Sequence, residues 1–173
     1  MSSPGHDVRP DVTAGQWVAL DDDELAGVRG DGEPLVSIAL AVELRDAGLA
    51  WEPCDGDRFV IPGHGLDAHT FRISPMSVEV RRAPGGRLVT FNGAVEWALD
   101  AVHLGDVVWL PTEAQLREAL GHRFRALSRV PDGYRCTYDL DGQQRTAEDP
   151  RAVEAYGLAL LHCLRRANRP DRA

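Results

Sequence analysis

Histidine and aspartate are concentrated in one short stretch of this chain, and these residue types bind transition metals. His64, Asp67 and His69 alternate with small or apolar residues, and Asp55 and Asp57 lie a short distance before them. Imidazole nitrogens and carboxylate oxygens together suit zinc or iron. The stretch therefore predicts a candidate site for a divalent metal, as a small metal-dependent hydrolase would use.

The same stretch also has the composition of a surface loop between two strands, because glycine, aspartate and histidine are common in turns. A calcium loop would need further oxygen ligands and a glutamate at fixed spacing, and the sequence after Asp55 lacks them. Under this interpretation the Asp55-Gly56-Asp57 segment is a turn, and the protein has no metal or other cofactor.

Four arginines form a second candidate site. Arg123, Arg125 and Arg129 have even spacing, so a strand would place them on one face, and Arg135 follows on the next predicted strand. Guanidinium groups collected in this way would bind a phosphate or carboxylate ligand. The alternative is a solvated face on which the arginines pair with acids such as Asp139.

Nucleophilic catalysis is not indicated by the cysteines. Cys54, Cys136 and Cys163 are widely separated and odd in number, which predicts neither a disulfide framework nor a C-x-x-C motif. His162 and Cys163 are consecutive on a predicted helix, so their side chains project about 100° apart and do not face each other. The chain also lacks a Gly-x-Ser-x-Gly elbow, a glycine-rich dinucleotide loop and a zinc-protease helix motif.

Composition excludes several function classes. All 19 basic residues are arginine, so there is no lysine for a Schiff base, for a general base or for a Walker-type phosphate loop. The net charge of −8 opposes generic nucleic-acid binding, which depends on neutralising phosphates. The four tryptophans could line a ligand pocket, although a chain with only 6% aromatic residues also needs them in its core.

The ends and the apolar stretches bear on localisation. The first residues have no basic start followed by an apolar segment, so no secretion signal is expected. The apolar stretches are shorter than the ~20 residues that a membrane-spanning helix requires. Together with cysteines that suggest no disulfides, these features predict a cytoplasmic protein without membrane contact.

Local signals predict an α+β fold, a mostly antiparallel β-meander with helices at both ends and one or two short internal helices. Ser37 can cap a helix that Gly48 ends. Thr112 and Gln115 have the spacing of a capping box before a second helix, and Pro150 begins a third.

Turn residues separate the predicted strands. Asp141-Gly142 is a strong hairpin signal, and Asn92 is a candidate cap for a short helix that includes Val102. The strands are predicted at residues 58–61, 70–74, 78–82, 87–91, 106–110, 124–130, 134–140 and 143–146.

The chain is expected to contain one folded domain. Residues 1–15 are predicted to be a flexible tail, and residues 16–34 an acidic extension with a short helix. Residues 35–168 form the single α+β domain, and residues 169–173 are a frayed C-terminus.

Five segments carry a resemblance to a known group of proteins. They are Leu-Arg-Asp-Ala-Gly-Leu-Ala-Trp at 44–51, Gly-Asp-Arg-Phe-Val-Ile-Pro at 56–62, Phe-Asn-Gly-Ala-Val-Glu-Trp-Ala-Leu-Asp at 91–100, Trp-Leu-Pro-Thr-Glu-Ala-Gln-Leu-Arg at 109–117 and Ala-Tyr-Gly-Leu-Ala-Leu-Leu at 155–161. In them the chain resembles a family of small, mostly actinobacterial proteins often labelled pilus-assembly proteins. The label refers to an ATPase, whose phosphate loop needs a lysine that this sequence lacks. The resemblance therefore implies no ATPase activity and no functional residue.

These observations favour a non-catalytic cytoplasmic module that binds an unknown protein partner or a small ligand. Its polar residues fall in predicted turns and at solvent-facing positions, without a convergent acid, base and nucleophile. The alternative is the metal-dependent hydrolase, centred on the loop that contains His64, Asp67 and His69.

Overall fold

The computed structural model describes residues 33–63, 69–74, 78–91 and 101–169. Three α-helices lie in these ranges: α1 (Ile38–Asp46), α2 (Glu113–Leu120) and α3 (Ala152–Ala167). The strands there are β1 (Arg58–Val60), β2 (Phe71–Arg72), β3 (Val78–Ala83), β4 (Gly86–Phe91), β5 (Ala101–His103), β6 (Val108–Trp109), β7 (Phe124–Val130), β8 (Gly133–Leu140) and β9 (Gln143–Asp149). Short 3-10 turns cover Leu104–Asp106 and Gly121–Arg123.

The strands form three small antiparallel sheets, which confirms the predicted α+β class. Their strand orders are β2-β1-β6, β3-β4-β5 and β7-β8-β9. The second and third sheets consist of neighbours in the chain, and only the first contains a distant strand, β6. None of the helices in the described ranges combines the length and the apolar character needed to cross a bilayer.

Two apolar clusters form the core. The larger cluster packs α1, α2 and α3 against one face of the β7-β8-β9 sheet, and it includes Leu44, Leu116 and Leu160. The smaller cluster joins the other two sheets, and it includes Phe59 and Val89. Each cluster forms where the apolar faces of helices and strands pack together. Burial of apolar surface stabilises the folded state by about 25 cal/mol for every Å² removed from water.

The helix ends follow the predicted capping signals. The Ser37 hydroxyl accepts a hydrogen bond from the Leu40 N–H (3.3 Å), and this contact begins α1. Gly48 has φ +87°, and the Leu49 N–H behind it donates to the Leu44 carbonyl at 2.9 Å. This is the left-handed helix stop that glycine permits.

A buried carboxylate that the sequence does not reveal joins α1 to α3. Glu154 is only 7% exposed. It accepts hydrogen bonds from the Ser37 N–H (2.6 Å) and hydroxyl (3.1 Å), and it pairs with Arg151. One side chain therefore holds together the residues that begin the two helices. Its hydrogen bonds are strong because the accepting carboxylate is charged.

The predicted short helix that begins at Asn92 and includes Val102 is wrong at Val102, and its start is not among the described residues. Val102 lies in strand β5, opposite Val89, and not in a helix. Strand pairing decides its conformation, because its apolar side chain enters the smaller cluster. The predicted cap at Asn92 lies outside the described residues.

The described residues belong to one compact unit, which spans Asp31–Ala173. Most of the predicted tail and acidic extension, residues 1–32, lies outside the described part of the chain, as do residues 170–173. At the start of the described part, Glu33 accepts a hydrogen bond from the Ala114 N–H in the first turn of α2 (3.2 Å). A carboxylate is favourable there because the first N–H groups of a helix lack partners within the helix.

Candidate functional site

A cleft of about 520 Å³ lies between α1, the turn that joins β3 to β4, and the segment from β5 to β6. We call it the tryptophan cleft. Its apolar lining includes Trp51, Trp109, Leu49, Leu104 and Val107, and its basic lining consists of Arg45, Arg87 and His103. Ligand pockets in proteins commonly have volumes of roughly 300–1,000 Å³, so the cleft has the size for a small molecule.

Two stacked indole rings form the aromatic wall of the cleft. The rings of Trp51 and Trp109 are 6.0 Å apart between centroids, with an interplanar angle of 4°. Trp109 lies on β6, directly opposite Phe59 on β1, and the Phe59 ring also packs against Trp51 at 6.2 Å. The first sheet therefore positions one tryptophan and supports the other.

Asp57 fixes the orientation of Trp51. Its carboxylate accepts hydrogen bonds from the Trp51 indole N–H (2.8 Å), the Cys54 backbone N–H (2.9 Å) and the Gln115 side-chain amide (2.6 Å). Asp57 is only 6% exposed. A buried carboxylate needs such donors to replace water, and in return it holds the indole in one orientation.

Gln115 connects this carboxylate to the start of α2. Its side-chain oxygen accepts from the Thr112 N–H (2.9 Å), while the Thr112 hydroxyl accepts from the Gln115 N–H (3.3 Å). This is the predicted capping box. Because the amide oxygen faces the helix start, the amide nitrogen is directed to Asp57, so α2 also positions the aromatic wall.

Among the described residues, those with charged side chains in the lining of the cleft are all basic. Arg87 contacts the Glu52 carboxylate, with its Nη1 3.0 Å from one oxygen and 3.1 Å from the other. Arg45 contacts Asp46, its neighbour in the chain, at 2.9 Å. Neither acid belongs to the lining, so the cleft is a basic site in a chain of net charge −8.

Trp109 contributes an unused polar group. Its indole N–H is buried and has no hydrogen-bond acceptor among the residues that the structure describes. Buried donors in folded proteins nearly always have a partner, so such a group calls for an explanation.

A second cavity, of about 250 Å³, shares Trp51 and Trp109 with the cleft.

The residues of the predicted metal site are not all described. Asp57 is directed inward to its three donors, and Asp55 is exposed in the adjoining turn. His69 lies beside the Phe71 ring, at 6.5 Å between centroids. His64 and Asp67 fall outside the described ranges. Within those ranges, no three His, Cys, Asp or Glu side chains are placed to hold a metal ion.

A β-bulge changes the predicted face pattern of β7. Phe124 pairs with Tyr138, but the register then shifts, and Leu127 pairs with the buried Cys136. A bulge adds one residue to its strand, so the side chains beyond it turn to the other face. Leu127 therefore packs on the larger cluster, and Ala126 is exposed.

The structure does not place the candidate arginines on one face. Arg123 precedes the strand in a 3-10 turn. Arg125 pairs with Asp139 on the outer face of the sheet, whereas Arg129 lies over the Tyr134 ring, 5.3 Å from its centroid. The bulge is the physical reason for this separation, because even spacing no longer means a common face.

Two of these arginines pair with acids on the outer face of the sheet, which is the arrangement predicted for a solvated face. Arg135 contacts Glu148 at 2.6 Å, and Arg125 contacts Asp139. The hydrogen bond from Arg125 lowers the pKa of the Asp139 carboxyl. Exposed pairs of this kind contribute little to stability. Ligand binding by the four arginines stays a prediction.

We expect one of the three thiols to react in the native protein. Burial raises the pKa of the Cys136 thiol to about 11 and also raises the pKa of Cys163, so both remain protonated at pH 7.5. Cys54 is exposed. A chromogenic disulfide reagent should therefore titrate one thiol in buffer and three in guanidinium chloride.

The matched control for this measurement is Cys54→Ser, which should leave no reactive thiol in buffer and two in denaturant. Rapid modification of Cys136 or Cys163 in the native protein would contradict the expected burial. The neighbouring His162 is already engaged, because its Nδ1 is hydrogen-bonded to the Tyr138 hydroxyl at 2.6 Å.

The sequence suggests the tryptophans as possible pocket residues but does not reveal the cleft. Its lining comes from three separated segments of the chain, and no local pattern reports their proximity. Comparison of the chain with protein-family models, with curated proteins and with solved structures found no match. The resemblance of the five segments to an actinobacterial family stays a prediction.

Proposed function

We propose that this protein is a non-catalytic cytoplasmic binding module and that a small molecule binds in the tryptophan cleft. The observation that carries the proposal is the aromatic wall, in which Asp57 and Gln115 hold Trp51 against Trp109 through hydrogen bonds. A wall that is already ordered loses little conformational entropy when a ligand binds. Apolar, aromatic lining with a few polar groups is typical of small-molecule sites.

The lining supports binding and not catalysis. Of its described residues, His103 alone is of a type that commonly serves as a general acid or base. The lining described here includes no serine, threonine, cysteine, tyrosine or carboxylate to act as nucleophile or as second acid–base group. A ligand in this site would be bound and released unchanged.

Cytoplasmic location is the part of the proposal that depends on cysteine chemistry. Cys136 and Cys163 are free thiols in the larger cluster, and Cys54 is a free thiol at the surface. An exposed free thiol persists most readily in a reducing compartment. The acidic net charge supports a ligand or partner other than nucleic acid.

A planar aromatic probe should bind in the cleft, and a side chain introduced into the cleft by substitution should prevent that binding. Gly105 lines it, and a Cβ added there would meet no atom within 4 Å. Gly105→Leu therefore inserts a side chain without displacing the core, and we expect at least a tenfold loss of affinity for 2-naphthamide. The measurement is titration of the uniformly ¹⁵N-labelled protein, followed through the indole N–H signals of Trp51 and Trp109.

The control for this experiment adds the same side chain elsewhere. Ala126 is exposed on β7, so Ala126→Leu should leave the affinity for 2-naphthamide unchanged. Each indole signal is assigned by a single tryptophan-to-phenylalanine substitution. The proposal fails if millimolar 2-naphthamide and 2-naphthoate both leave the signals of Trp51 and Trp109 unmoved.

A further inference from the structure

We infer that the tryptophan cleft selects planar ligands that carry a carboxylate, and that Glu52 occupies the carboxylate position on Arg87 until such a ligand replaces it. This inference rests on the proposed function and specifies the chemistry of its ligand.

The charge of the lining is the first argument. Arg45, Arg87 and His103 supply N–H donor groups, and the carboxylates that pair with the two arginines, Asp46 and Glu52, lie outside the described lining. A cleft lined by one sign of charge attracts ligands of the opposite sign. An anionic ligand therefore complements the cleft, although the protein as a whole is acidic.

The contact between Arg87 and Glu52 is the second argument. Both carboxylate oxygens of Glu52 lie on the same nitrogen, Nη1, so Glu52 does not use the paired-donor edge of the guanidinium. The Glu52 side chain is 85% exposed, whereas that of Arg87 is 32% exposed. An exposed ion pair of this kind is weak.

A ligand carboxylate would make a better contact with Arg87 than Glu52 does. It could bind the guanidinium through two parallel N–H···O bonds, the arrangement that arginine favours with carboxylates. Glu52 would move into water at little loss, because most of its side chain is already solvated. Glu52 lies outside the described lining but binds a guanidinium that belongs to it, so a ligand carboxylate on that guanidinium would compete with Glu52.

The aromatic wall specifies the rest of the ligand. The parallel rings of Trp51 and Trp109, with Leu104 and Val107 nearby, form an apolar lining that complements a flat ring system. The ligand class is therefore an aromatic carboxylate.

Two probes of the same shape test the inference by isothermal titration calorimetry on the full chain. We expect 2-naphthoate to bind about tenfold more tightly than neutral 2-naphthamide, because a hydrogen bond between charged groups is stronger than a neutral one. Arg87→Gln should remove most of this preference. Its matched control is Arg135→Gln, which removes the same charge on the β7-β8-β9 sheet and should keep the preference.

Glu52→Gln provides the more specific test. Removing the competing carboxylate should raise the affinity for 2-naphthoate about three- to fivefold and leave the affinity for 2-naphthamide unchanged. Glu148→Gln removes an equal charge beside Arg135, so it corrects for the altered net charge.

The outcomes separate this inference from the proposed function. Equal affinities for the two probes would overturn the selection of carboxylates and leave the cleft as a binding site. An equal effect of Glu52→Gln and Glu148→Gln on 2-naphthoate would overturn the role of Glu52. Failure of both probes to bind would overturn the proposed function as well.

Discussion

Replacement of Asp57 by alanine is expected to lower the free energy of unfolding by about 3–4 kcal/mol and to abolish binding in the tryptophan cleft. The substitution leaves the Trp51 indole N–H, the Cys54 N–H and the Gln115 amide without their acceptor. Each buried donor left without a partner costs about 1–3 kcal/mol, part of which water entering the site restores. Urea unfolding followed by circular dichroism gives the stability, and titration with 2-naphthoate gives the binding.

A double-mutant cycle with Gln115 separates this hydrogen-bond arrangement from simple loss of volume. Asp57→Asn brings an amide nitrogen to the Gln115 nitrogen, and Gln115→Glu brings a second carboxylate to Asp57, so each single change should destabilise the protein. In the double variant the asparagine amide donates to the new carboxylate, and its oxygen still accepts from Trp51. We expect the double variant to recover about 2 kcal/mol relative to the sum of the single changes. Additive effects would contradict the contact.

Replacement of Gly133 by alanine should also destabilise the protein strongly, by about 3–4 kcal/mol. A Cβ there would lie 2.4 Å from the Asp149 carbonyl oxygen and 2.5 Å from the Pro150 Cα. Both atoms belong to the backbone that leads from β9 into α3, so neither can move without shifting the helix. Gly133 also has φ +143°, which favours glycine.

Gly142→Ala is the matched control for this change. Gly142 also has a positive φ, +75°, but a Cβ there would meet no atom within 4 Å. It should therefore show only the backbone strain, about 1 kcal/mol. Thermal and urea unfolding of both variants would measure the difference. Similar losses for the two variants would mean that the close approach at Gly133 does not govern the stability of the sheet.

Local signals predicted much of the fold because their causes lie within a few residues. The cap at Ser37 and the stop at Gly48 depend on backbone groups one helical turn away. The hairpin at Asp141-Gly142 depends on two residues with positive φ, 51° and 75°. Such features need no knowledge of the rest of the chain.

The candidate site depends on contacts between distant residues, and the sequence does not report these. Gln115 was recognised as a capping residue, but its bond to Asp57 joins positions 58 apart in the chain. The sequence leaves Asp57 as either a turn residue or a candidate metal ligand, because a carboxylate in a turn carries no sign of the indole N–H that it will accept. The bulge at Phe124 likewise depends on pairing with β8, and one added residue was enough to separate Arg125 from Arg129.

The position of the cleft between the two apolar clusters links ligand affinity to conformational stability. Ala41 belongs to the larger cluster and Val107 to the smaller one, and both line the cleft. A ligand that contacts both clusters binds only the state in which both are packed. Its apparent affinity is therefore reduced by the fraction of molecules in which the smaller cluster is not packed. Substitutions that strengthen the packing around Val89, which is buried and does not line the cleft, would then tighten ligand binding by lowering the population in which the smaller cluster is lost.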